Sequence, residues 1–358
     1  MTASGRPMRI NAMISRGADE VRAGVDVRSK LPAEQRSQVH RLCSAKVQGY
    51  REVLLTAVVA WLDGVHFNPC DGDFYECKPR AVFEKGIRPA LVTLGLKSRK
   101  SGPLNVAKAQ RKLDESWAAS RDDPATAMLV VVLLRWIVAS PSERARIVLF
   151  ALLAELIDEA GELKSLSIAA PTSASATETC RQLVGLIARA PNAGNTAQLI
   201  VHAALKILHE HSGAQIDEIG RASETNLTSK KPADVSVAVP WSRRIHLYEI
   251  TTKMIDENRI RDSDESVLQH GDGANCVTWL CIIPDNISTL KLVAPVITTA
   301  SGVRHEFVDL RQWLATVIEL LGEDRRNRYL GLITQHINNP QTDGIVKTAW
   351  REIHKNAP

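Results

Sequence analysis

Residues 276–283 read Cys-Val-Thr-Trp-Leu-Cys-Ile-Ile and stop at Pro284. A nearly continuous apolar run of that length suits a central strand buried on both faces. Such a strand needs partners beside it and a covering layer on each side. Upstream, 234–239 alternates, with Val235, Val237 and Val239 on one side. Residues 240–243 (Pro-Trp-Ser-Arg) read as a turn, and 245–251 as a second strand. A helix over 195–212 carries Leu199, Ala203, Ile207 and Leu208 on one side, and 215–219 is a short strand candidate. Residues 263–271 look helical, and 304–308 read as a strand leading into a helix over 309–321. The order helix, strand, strand, strand, helix, strand predicts a mixed α/β sheet with helices on both faces.

The first half of the chain has a different character. Helical spacing runs over 33–62 after Pro32, and further helices are expected at 79–95, 124–139 and 142–160, with Asp122 or Asp123 capping the one at 124–139. Residues 1–30 show no periodicity and read as a mobile arm. The small, Ser/Thr/Ala/Pro-rich stretch 165–178 marks a boundary. The expected division is therefore an arm over 1–30, a helical domain over 31–175 and an α/β domain over 176–358. A length of 358 residues suits about two domains.

Composition excludes several classes. Cys43, Cys70, Cys77, Cys180, Cys276 and Cys281 form no CxxC pair, so they read as reduced thiols of a cytoplasmic protein. No apolar stretch of signal-peptide type follows Arg6, Arg9 and Arg16, and the run Met128 to Leu134 is too short to span a bilayer. No membrane role is expected. No Walker A, GxGxxG or GxSxG motif is present, which argues against a kinase, an NAD enzyme and a serine hydrolase. The net charge of +5 is mildly basic and only weakly favours polyanions.

The chemistry concentrates in Ala-Asp234-Val-Ser-Val and Tyr-Glu249-Ile-Thr-Thr-Lys253. A tight turn at 240–243 makes the two strands antiparallel neighbours, which brings Asp234 alongside the Thr251–Lys253 end of the second strand. Glu249, Thr251 and Lys253 share a face if that strand runs so far. Two carboxylates suit Mg²⁺, a hard ion that takes few carboxylates and several waters, with the Ile250 carbonyl as a further ligand. Lys253 would assist the attacking water and offset transition-state charge. Glu218 or Glu224 offers a third carboxylate, and Gln269 a supporting amide. His209 and His211 read as a helix C-terminus rather than a metal pair, and Arg325, Arg326 and Arg328 as solvated. Arg99, Lys100, Asn105, Lys108, Gln110 and Arg111 form a basic segment able to meet DNA phosphates or the major groove; a solvated loop is the alternative. Arg243 and Arg244 in the hairpin turn are further phosphate candidates.

These words resemble the PD-(D/E)xK nuclease superfamily. Pro232-Ala233-Asp234 stands for its first motif, and Glu249 for the acidic member of its second. Thr251 occupies the usual lysine position, and Lys253, one strand repeat on, is the natural replacement. The wider layout over about 60–290, including Asn68-Pro69, Lys78-Pro79 and Gly102-Pro103-Leu104-Asn105, is similar to SacI-type type II restriction endonucleases. The resemblance implies a restriction-endonuclease-like core flanked by helices and Mg²⁺-dependent cleavage of double-stranded DNA at a short palindromic site. It also implies a homodimer and a cognate DNA methyltransferase. A repair or phage-defence nuclease, or a non-catalytic DNA-binding protein with a degenerate site, are the alternatives.

Overall fold

The computed structural model describes residues 5–26, 28–172, 175–217, 230–241, 244–290 and 294–355. The chain divides into two compact units, Met1–Ser165 and Leu166–Pro358.

The described residues of the first unit form helices joined by loops, with no strand among them. Its helices are α1 (Gly5–Arg22), α2 (Ala33–Ser44), α3 (Gly49–Leu62), α4 (Pro79–Val82), α5 (Arg88–Thr93), α6 (Leu104–Ala107), α7 (Glu115–Ala119), α8 (Pro124–Val138) and α9 (Pro141–Ser165). The centre is α3, which is apolar nearly all round: Val53, Leu54, Ala57 and Val58 have no exposed surface. It packs on α8 and α9. Asp123 starts α8 by accepting the Thr126 N–H at 3.0 Å.

Three expectations need correction. Residues 1–30 are not an arm, because 5–22 form α1, docked through Ile10 and Ile14, which are at most 1% exposed. The stripe is narrow, so a mostly polar sequence hides it. Gly86 makes the contact possible, since a Cβ there would stand 2.7 Å from Ile10. Arg6 and Arg9 fasten the same helix to Asp63, at 2.7 and 3.0 Å. The helical stretch 33–62 is broken where Ala45 turns extended. The boundary falls ten residues before 175/176 because 166–172 belongs with the second unit: Asn338 Nδ2 donates to the Ile168 carbonyl at 2.8 Å.

The second unit wraps helices around one sheet. In chain order it contains α10 (Ala176–Arg189), α11 (Asn195–Leu208), β1 (Gln215–Ile216), β2 (Val235–Val239), β3 (Arg244–Ile250), α12 (Glu257–His270), β4 (Cys276–Cys281), β5 (Val296–Thr298), β6 (Arg304–Asp309), α13 (Leu310–Leu320), α14 (Gly322–Asn338) and α15 (Gly344–Lys355). The sheet order is β1-β2-β3-β4-β6-β5. β2 and β3 are antiparallel, while β3–β4 and β4–β6 are parallel. The apolar run expected to be central is β4, flanked by β3 and β6. On one face Val235, Val237, Ile250 and Leu280 pack with α11, α13, α14 and α15. On the other, Leu247, Val277, Trp279 and Phe307 pack with Ile260 and Val267 of α12. Helices cover both faces, as the strand pattern required. The structure is thus a mixed α/β fold behind a helical half.

The docking of α1 is testable. Ile10→Ala should lower the unfolding free energy by about 2–4 kcal/mol in chemical denaturation. A change within about 0.5 kcal/mol, the range of surface substitutions, would mean that residues 5–22 are not part of the core.

Candidate active site

The site forms where β2 begins and β3 ends. The register pairs Val235 with Tyr248, so one step back Asp234 stands directly opposite Glu249. On its other side Glu249 pairs with Trp279 of β4, which pairs with Phe307 of β6. Asp234, Glu249, Trp279 and Phe307 thus make one row across a single sheet face.

Asp234 Oδ2 accepts the Ile250 backbone N–H at 2.8 Å. Glu249 is only 6% exposed. Asp234 reaches the surface in part, but its carboxyl group lies deep among protein atoms. Gln198 and Glu249 are the side chains that act on this carboxyl as polar neighbours, Glu249 from the facing strand. Burial pushes the Asp234 carboxyl above the ordinary carboxylate range, and the bonds from Ile250, Gln198 and Glu249, together with the Arg259 charge, pull the other way.

The donor set fits Mg²⁺. Two hard oxygen donors face each other across the β2–β3 pair, and Mg²⁺ commonly uses one or two carboxylates with water completing its shell. Among the described residues, no group of three or more His, Cys, Asp or Glu side chains is placed to hold a metal. Glu218 and Glu224, the third-carboxylate candidates, lie outside the described residues, as does Arg243.

The other expected residues are placed differently. The strand ends at Ile250, so it does not carry Lys253 onto the carboxylate face. Thr251, 4% exposed, donates its N–H to the Leu280 carbonyl at 3.0 Å. The chain then bends: Thr251 Oγ1 accepts the Lys253 N–H at 3.0 Å, and Asn286 Nδ2 donates to the Thr252 carbonyl at 3.2 Å. Lys253 is left exposed. The cation that comes in is Arg259, from the first turn of α12. Its Nη1 donates to Thr251 Oγ1 at 3.0 Å, and its guanidinium lies 5.5 Å from the centre of the Trp279 ring. Asp256 begins that helix by accepting the Arg259 N–H at 2.9 Å.

Gln269 sits exposed near the far end of α12, roughly 15 Å along the axis from Arg259. The glutamine at the site is Gln198 of α11, 4% exposed. Its signal was a polar side chain among Ala197, Ile200 and Val201. Arg259 had none, since Glu-Asn-Arg-Ile-Arg-Asp reads as a solvated face. Arg99, Lys100, Asn105, Lys108 and Arg111 are all exposed in the first unit, and Arg244 is exposed at the start of β3. Arg325 departs from expectation: it reaches the last turn of α11, donating to Glu210 at 3.0 Å and to the Leu208 carbonyl at 3.1 Å. His209 caps the same helix end through its own N–H, bonded to the Leu205 carbonyl.

Compared with known proteins, the chain matches no family model, and no curated protein resembles it significantly. No helix among the described residues is long and apolar enough to cross a membrane.

A raised carboxyl pKa means that the fold favours the protonated acid, so stability without metal falls as pH rises above the ordinary carboxylate range. Glu249→Gln removes one ionisation and keeps a donor towards Asp234. In thermal unfolding without metal, this variant should melt a few degrees above the parent at neutral pH, with the gap closing as pH falls. A lower melting temperature at neutral pH would show that the acids do not oppose each other.

Proposed function

We propose that this chain is a Mg²⁺-dependent endonuclease acting on double-stranded DNA, with Asp234 and Glu249 as the metal-holding residues. The observation that carries this reading is the opposed pair itself. Two acids from adjacent strands stand directly opposite each other, Glu249 almost wholly buried, with the Arg259 charge acting on Asp234. Burying carboxylates face to face is unfavourable unless a cation joins them. Such a pair serves stability poorly and a divalent ion well.

Each residue has a task in this reading. The Ile250 N–H fixes the Asp234 carboxylate, with Gln198 as a polar neighbour. Glu249 supplies the second oxygen donor from the facing strand. The carbonyl of Ile250 is a further oxygen at the same strand end. Mg²⁺ held by these groups would supply an acidified water and a Lewis acid for a phosphoryl oxygen. The exposed basic segment around Arg99, Lys100, Asn105, Lys108 and Arg111 supplies phosphate or base contacts. The finer form of the proposal is a type II restriction endonuclease, a homodimer cutting a short palindrome beside a protective methyltransferase.

The decisive test is incubation of purified protein with unmethylated phage DNA, with Mg²⁺ or with EDTA. Discrete Mg²⁺-dependent fragments are expected, and Asp234→Ala and Glu249→Ala should each lower cleavage by more than about 100-fold while remaining folded. A Mg²⁺-dependent smear would favour a nuclease of low sequence specificity. Intact DNA from folded parent protein would remove the endonuclease reading.

A further inference from the structure

Resting on the metal-site reading above, we propose that Arg259 is the working cation of the site, and that the buried chain Asp264–His305–Trp279 holds it in position.

The geometry starts from the row across the sheet. Trp279 is the neighbour of Glu249 on β4, and Thr251 lies two residues beyond Glu249, just past the end of β3. Arg259 engages both, stacking over the Trp279 indole at 5.5 Å and bonding Thr251 Oγ1 at 3.0 Å. A third contact, Nη1 to the Met254 carbonyl at 3.2 Å, closes the bend after β3 around it. The guanidinium is therefore bracketed by the two residues that flank Glu249. Lys253 lies on the exposed outside of that bend. Guanidinium also suits this place chemically, because it is planar, stacks on indole and keeps its charge.

The support behind Trp279 is unusually well defined. Trp279 Nε1 donates to His305 Nδ1 at 3.0 Å. An indole N–H can only donate, so Nδ1 accepts and the ring proton sits on Nε2. Nε2 then donates to Asp264 Oδ1 at 2.7 Å, and Ser301 Oγ donates to Asp264 Oδ2 at 3.0 Å. His305 is fully buried and Trp279 is 1% exposed. Asp264 belongs to the same helix as Arg259. The chain therefore fixes the indole plane and ties α12 to β4 and β6 at once. Trp279 and His305 act through Arg259 and are positioning residues.

The test uses the full chain and Mn²⁺ alone, titrated calorimetrically, alongside DNA cleavage with Mg²⁺. A cation beside the carboxylates opposes a metal ion and helps the charged transition state. Arg259→Met should therefore bind Mn²⁺ about tenfold more tightly and cut DNA about 100-fold more slowly. Tighter binding with slower cleavage separates this role from a structural one, which would weaken both. His305→Gln should tighten Mn²⁺ binding by a few fold in the parent and leave it unchanged in the Arg259→Met background, since coupled residues are not additive. The proposal is overturned if Lys253→Met, rather than Arg259→Met, produces that pair of changes, or if Arg259→Met weakens Mn²⁺ binding. Equal effects of His305→Gln in both backgrounds would overturn the positioning role. Failure of the underlying reading looks different: the parent protein would bind no Mn²⁺, and both inferences would fall. Mn²⁺ binding without cleavage of any DNA would remove the endonuclease alone, while the affinities still decide for or against Arg259.

Discussion

The hydrogen bond from the Ile250 N–H to Asp234 is the contact on which the candidate site depends. It replaces a ladder rung at the mouth of the β2–β3 hairpin with a side-chain acceptor, and so pins an acid where β2 begins. The register then sets Glu249 against it. Everything nearby answers the resulting problem of two acids in one small volume. Gln198 reaches in from a helix on one side of the sheet, and Arg259 comes from a helix on the other. The covering helices make burial possible, and burial pushes the Asp234 carboxyl towards its protonated form.

The strand framework was readable because it rests on short-range patterns. Alternating valines at 235, 237 and 239, a turn at Pro240-Trp241, and an unbroken apolar run before Pro284 each specify a strand and its exposure. A hairpin between two alternating strands brings both acids to one strand end, although the register sets Asp234 opposite Glu249 rather than beside Thr251–Lys253 as expected. Helix α1 escaped because only one narrow stripe is buried, and its partner, Gly86, is far away in sequence.

Lys253 shows where such reasoning stops. Alternation placed it on the carboxylate face only if the strand continued, and local sequence gives no reason for it to stop. What ends it is remote. Asn286 accepts the Ile282 N–H at 2.7 Å and donates to the Thr252 carbonyl, holding the bend from more than thirty positions away. Arg259 was invisible for the same reason, and the polar signal of Gln198 among apolar neighbours did not say which site it serves. Each enters the site through the packing of a whole helix, and no spacing rule connects 198, 234 and 259.

The acids and the arginine arrive on different structural elements. The acids belong to a hairpin locked by its own ladder, whereas the arginine belongs to a helix docked on the sheet by apolar side chains and the His305–Asp264 contact. Local opening of α12 would therefore leave both acids aligned and still remove their cation, without loss of the sheet. Hydrogen exchange along residues 257–270 becomes a measure of how often the site is complete, and the free energy of that opening is a setting that substitutions far from the acids can change.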